Sequence, residues 1–160
     1  MTDATSHQPL LDDIGNRLTG GEADLQGVLE RVLSHFGCAT GTIHRFDPAS
    51  GMLRLCVHRG IPATLMDRVG VIPIGKGMAG IAAERRQPVQ VCNLQTDTSG
   101  VVRSGAKETR MEGSIAVPML VGQQLRGVLG VAKPVAYEFT EAETALLSQL
   151  AVLIGKHLGR

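Results

Sequence analysis

The stretch "EGSIAVPMLVGQQLRGVLGVAKP", residues 112–134, holds two apolar runs separated only by "VGQQ". A link this short joins antiparallel neighbours, because parallel strands need a crossover of a dozen or more residues. The stretch "CATGTIHRFDPASGMLRLCVHRG", residues 38–60, repeats the device. Ile43 to Phe46 and Leu53 to Val57 alternate on either side of "DPASG", which is turn chemistry. Two hairpins in one chain commit it to a mainly antiparallel sheet.

That commitment bears on "IPIGKGMAGIAAERRQPVQV", residues 72–91, where Gly75, Gly77 and Gly80 have the G-x-G-x-x-G spacing of a dinucleotide-binding turn. Such a turn needs a buried parallel strand before it, a full-length helix after it and an acidic residue closing a second strand. Here Pro73 interrupts the preceding strand, "VGVIPI", and proline cannot donate to a central ladder. The following helix, about Met78 to Arg86, is stopped by Pro88. The next strand, "PVQVCN", ends at Asn93, and Asp97 falls in loop-like sequence. The spacing is therefore accidental. The glycines permit a tight turn and close packing of a short helix on the sheet, and the unpaired N–H groups at such a helix start attract anions.

Helices occupy both ends of the chain. Leu10, Leu11, Ile14 and Leu18 have helical spacing, and after Gly20 and Gly21 the period resumes through Leu25, Val28, Leu29, Val32, Leu33 and Phe36. "IPATLMDRV" reads as a short helix or turn. Residues 94–111 form a long polar loop, a feature more often functional than idle. The closing helix opens on Thr140 with Glu143 three residues on, a capping box. Lys156 and Arg160 suit the negative end of its dipole. Leu146, Leu150, Leu153 and His157, widened by Leu147, Ile154 and Leu158, make a stripe that predicts a homodimer through the terminal helices. The whole is an α+β arrangement.

A net charge of +1, from 16 Lys and Arg against 15 Asp and Glu, offers no basic stripe for nucleic acid. Arg85 and Arg86 read as a solvated helix end. Cys38, Cys56 and Cys92 are too scattered for a disulfide framework or zinc site and read as buried reduced thiols. No apolar run suits a membrane span and the first ten residues do not look like a signal peptide, so the expected location is the cytoplasm.

Two stretches, residues 71–97 ("VIPIGKGMAGIAAERRQPVQVCNLQTD") and 113–151 ("GSIAVPMLVGQQLRGVLGVAKPVAYEFTEAETALLSQLA"), together resemble the GAF domain, a small-molecule sensing module of signalling proteins. The likeness rests on the glycine-opened helix, the Pro-Val strand followed by Asn and Asp, the Val-Pro and Gly-Val-Leu-Gly strands, and the Phe-Thr-x-x-Glu entry to the last helix. It implies a central antiparallel sheet with the N- and C-terminal helices on one side and a short helix and loop enclosing a pocket on the other. Residues 1–21 would be a helical extension and 22–160 the GAF-like domain.

Departures from the family pattern narrow the expected function. The cyclic-nucleotide-binding subset carries an Asn-Lys-Phe-Asp-Glu set, and the matching positions are Ala132, Lys133, Phe139, Ala142 and Glu143, so its Asn and Asp are lost. The free methionine-R-sulfoxide reductases use cysteines where this chain has residues such as Val71, Ala79 and Lys107. Without a thiolate there, no nucleophile attacks a sulfoxide. His44 and His58 on the first hairpin read as exposed or half-buried rather than as haem or bilin attachments. The expectation is a non-catalytic regulatory module with no cofactor, metal, nucleic-acid or membrane partner, acting as a dimer on a separate signalling protein. The reductase is the alternative. Gly77, Met78, Arg103, Lys107, Thr109, Arg110 and Ser114 are the candidate ligand contacts, suited to an anionic or polar metabolite.

Overall fold

The computed structural model of the chain describes residues 7–19, 24–97 and 109–158. Its elements run α1 (Gln8–Thr19), α2 (Leu25–Phe36), β1 (Thr40–Asp47), β2 (Met52–Arg59) and a 3-10 turn (Ala63–Leu65) leading into α3 (Met66–Val69). There follow β3 (Val71–Pro73), α4 (Gly77–Arg85), β4 (Val89–Val91), β5 (Gly113–Val121), β6 (Gln124–Lys133) and α5 (Glu141–Gly155). The strands form one sheet in the order β3-β2-β1-β6-β5-β4, and every neighbouring pair is antiparallel.

Local chemistry accounts for the main punctuation. The β5–β6 turn places Gly122 at φ 63°, the left-handed first position of a type II′ hairpin. Asp24 caps α2 by accepting from the Gly27 N–H, and Gly37 closes it at φ 66°. At α5 the capping box is complete: the Glu143 N–H donates to Thr140 Oγ1 at 3.1 Å and the Thr140 N–H to Glu143 Oε1 at 2.9 Å. Tyr137 Oη donates to the same Glu143 oxygen at 2.6 Å, and that bond holds its proton up to about 12. Pro73 ends β3, an edge strand, where a missing donor does no harm.

Alternation along the strands sorts the two faces of the sheet. Ile43 of β1, Ile115, Val117 and Met119 of β5, and Leu129 and Val131 of β6 point to one side. There they meet Leu10, Ile14 and Leu18 of α1, Val28, Leu29 and Val32 of α2, and Leu147, Leu150 and Ile154 of α5 in the main core. α1 thus belongs to the same core as the sheet. Leu146, Leu147, Leu150, Ile154 and Leu158 of the expected dimer stripe are buried in it, and Leu153 and His157 are half-buried. On the opposite face α4 lays Ala82 and Ala83 against Ala116, Val128 and Leu53.

Three placements differ from the sequence expectation. His44 is fully buried: it continues the Thr40–Thr42 face of β1, and α3 covers it, with the Val69 carbonyl oxygen 2.7 Å from its Nε2. Cys92 is exposed just beyond β4, while Cys38 and Cys56 are half-buried; all three are free thiols. Burial pushes the Cys38 thiol up to about 11 and raises that of Cys56. Finally, α4 begins at Gly77 and gives way at Arg86, whose φ of 57° is left-handed.

Candidate functional site

On the face opposite the terminal helices lies a cavity of about 270 Å³. Its floor is a patch of three strands where the residues are small or hydroxylated: Thr40 and Thr42 on β1, Gly130 and Ala132 on β6, Ser114 and Ala116 on β5. Pairing sets these in rows, Thr40–Ala132–Ser114 and Thr42–Gly130–Ala116. The space exists because these side chains are short where the other face has Ile, Leu and Val. Ile61 and Leu65, with Arg68 and Val69 of α3, form the roof, and Ile72, Lys76, Gly77, Met78 and Ala79 close one wall. Leu94 and Thr109 close the other.

His44 links floor to roof. Its Nε2 lies 2.7 Å from the Val69 carbonyl oxygen, which can only accept, so Nε2 bears the proton. Nδ1 is buried and without a partner among the described residues. Burial holds the ring's pKa below the ordinary histidine value, so the imidazole is neutral at pH 7.

The start of α4 borders the cavity. No side chain caps the start of this helix, so the leading N–H groups of Gly77, Met78 and Ala79 lack a capping acceptor where those residues line the cavity. The turn before it needs Gly75 at φ 87° and Gly77 at φ 67°. Gly80 lets the helix sit on β3: a Cβ there would fall far inside 3.0 Å of the Pro73 carbonyl oxygen. Close packing of the helix and a start without a side-chain cap are thus both present. Among the described residues lining the cavity there are two cations, Arg68 and Lys76, and no Asp, Glu or Cys.

Of the residues singled out from sequence, Gly77, Met78, Thr109 and Ser114 line this cavity. Arg110 is exposed, left-handed at φ 62° and outside the lining. Arg103 and Lys107 lie outside the described residues. Sequence reading missed Thr40, Thr42, His44, Lys76 and the whole roof from Ile61 to Val69. The available signal was the polar alternation Thr40, Thr42, His44 on a strand whose other face is Gly41 and Ile43. No group of three or more His, Cys, Asp or Glu suited to a metal occurs among the described residues. No helix among them is long and apolar enough to cross a membrane.

The family model for the GAF domain (GAF_2) matches residues 22–158. Among solved structures, the chain is similar to the GAF domain of an Acinetobacter phosphoenolpyruvate-protein phosphotransferase: TM-score 0.77, 18% identity, covering 97% of this chain and 93% of that one. A GAF sensor protein from Burkholderia vietnamiensis gives TM-score 0.78 at 22% identity, covering 99% and 96%. The free methionine-R-sulfoxide reductase of Neisseria meningitidis, solved with its substrate, gives TM-score 0.73 at 21% identity, covering 98% and 91%. At these identities the likeness speaks to fold alone. No curated protein sequence matches the chain.

Proposed function

This chain is a member of the GAF domain family, and on that premise we propose that it is a non-catalytic, ligand-binding regulatory module of bacterial-type signal transduction. The observation that carries this reading is the cavity itself. It lies between the sheet and α3–α4, on the face away from the terminal helices, over a floor of short side chains. A mostly apolar hollow with a few convergent polar groups is the usual form of a small-molecule site. Its volume sits at the lower edge of the roughly 300–1,000 Å³ such sites span.

The cysteines support the non-catalytic reading over a sulfoxide reductase. A thiolate is the nucleophile such chemistry needs. Cys38 and Cys56 are held as thiols by burial, and exposed Cys92 is not among the cavity's lining residues. Signal output would pass through the face opposite the cavity, where β1, β5 and β6 have their other side chains against α1, α2 and α5. Dimerisation is part of the proposal, and within the predicted stripe it would use the half-buried Leu153 and His157.

A thermal-shift screen of nucleotides, inorganic anions, amino acids and 2-oxo acids tests the reading, with Gly130→Val as the blocked control. Gly130 lies in the cavity floor, and a Cβ there meets the Thr42 hydroxyl oxygen at 3.1 Å and the Ile115 carbonyl oxygen at an ordinary 4.0 Å. The variant should fold, fill the floor and lose the shift seen in the wild type. Turnover of free methionine-R-sulfoxide that Cys92→Ser abolishes would replace this reading with the enzymatic one. Analytical ultracentrifugation reads the oligomeric state directly.

A further inference from the structure

We propose that the cavity is built for a small organic anion bearing hydroxyl or keto oxygens and no ammonium group. This rests on the ligand-binding reading above and names the ligand's chemistry.

The anionic end is assigned by three features that converge on one wall. The start of α4 has no side-chain cap, its first three residues line the cavity, and Lys76 lines it beside them. Glu84 rests its carboxylate against Gly75 of this turn and does not line the cavity. With no Asp or Glu among the described lining residues, a bound ammonium would leave water without a counter-charge. Amino acids and amines are thereby disfavoured.

The neutral polar end is assigned by the floor. Thr40 is only 6% exposed, and its methyl is turned toward the Gly60 turn. Thr40 lines the cavity, and on the same face of β1 the buried Nδ1 of His44, also a lining residue, has no partner among the described residues, a state buried polar groups rarely keep. Thr42, in the row next to that of Thr40, lines it as well. Two residues of strand separate them by about 7 Å, and two strand spacings set Thr40 about 10 Å from Ser114. Hydroxyls spread over such a span are out of reach of a bare inorganic anion held at α4. A molecule of several atoms reaches both, and 270 Å³ holds on the order of ten water-sized groups.

Calorimetry on the full chain tests this with small hydroxy- and 2-oxo-carboxylates set against their amino and amide analogues, for example malate, aspartate and malamide. At least one hydroxy- or oxo-acid should bind, with its amino and amide analogues at least about tenfold weaker. Thr40→Val, which keeps the shape and strand preference, should weaken that acid about fivefold. Lys76→Gln should weaken it about threefold. Gly130→Val should abolish the heat. An amino or amide analogue binding as tightly as its acid, acid binding indifferent to Thr40→Val, or heat that survives Gly130→Val would overturn the inference; in the first two cases the ligand-binding reading stands. Silence from every class of probe would sink both.

Discussion

Replacing Gly80 with alanine should destabilise the protein, while the same change at Gly15 should stabilise it. Both glycines lie in helices, α4 and α1, and intrinsic propensity favours alanine at each by about 1 kcal/mol. At Gly15 nothing lies within 4 Å of the added methyl, so most of that gain should be realised. At Gly80 the methyl meets backbone, with the Pro73 carbonyl oxygen far inside 3.0 Å and the Gly75 nitrogen at 3.2 Å. Neither can rotate away, because the Gly75 N–H donates to the Gly80 carbonyl at 2.8 Å and the Lys76 N–H to Pro73 at 3.2 Å. The helix must lift off β3, adding about 1–3 kcal/mol of overpacking strain and about 1 kcal/mol for the hydrogen bond lost. Against the propensity gain, the net loss is about 2 kcal/mol, or a fall in Tm of about 4–8 °C for a chain of this size. Urea denaturation followed by circular dichroism reads both variants. A Gly80→Ala midpoint at or above the wild type would refute the view that this glycine exists for close approach of α4 to the sheet.

Further expectations concern the cap, the thiols and the buried histidine. Thr140→Ala removes one arm of the α5 capping box and should cost about 1 kcal/mol, read as a lower urea midpoint with unchanged slope. Iodoacetamide at about pH 8 should label exposed Cys92 at least about tenfold faster than Cys38, whose thiol is raised to about 11; peptide mapping showing equal rates would contradict that assignment. His44 has a folded-state pKa below its ordinary value of 6.5, so the unfolded chain takes up its proton first as pH falls. The stability this withholds is intact above 6.5 and lost progressively below it, so the wild type should lose more stability between about pH 7 and pH 5 than His44→Gln. Parallel losses in the two proteins would show that His44 is not the titrating group.

By itself, the sequence determined whatever depends on neighbours along the chain. Gly122 and "DPASG" fixed two hairpins and so an antiparallel sheet; Thr140 with Glu143 marked the start of α5; Pro73 and Pro88 ruled out the dinucleotide turn that the glycine spacing suggests. The resemblance carried by residues 71–97 and 113–151 reached the family as well. These are propensities, caps and turn geometries acting within a few residues, where a one-dimensional pattern is enough.

Only the tertiary structure decided which face each pattern spends itself on. Leu146 and Leu150 look the same in sequence whether they meet a partner or their own sheet, and here the sheet takes them. His44 alternates with Thr40 and Thr42 in the sequence, but its burial follows from α3 folding back to present the Val69 carbonyl, a contact 25 residues away. The cavity likewise arises from short side chains on three strands that are adjacent only after pairing, roofed by a segment whose own sequence has no marked period. Packing joins residues distant in sequence through a burial free energy with no local signature, and so the site is legible only in the folded chain.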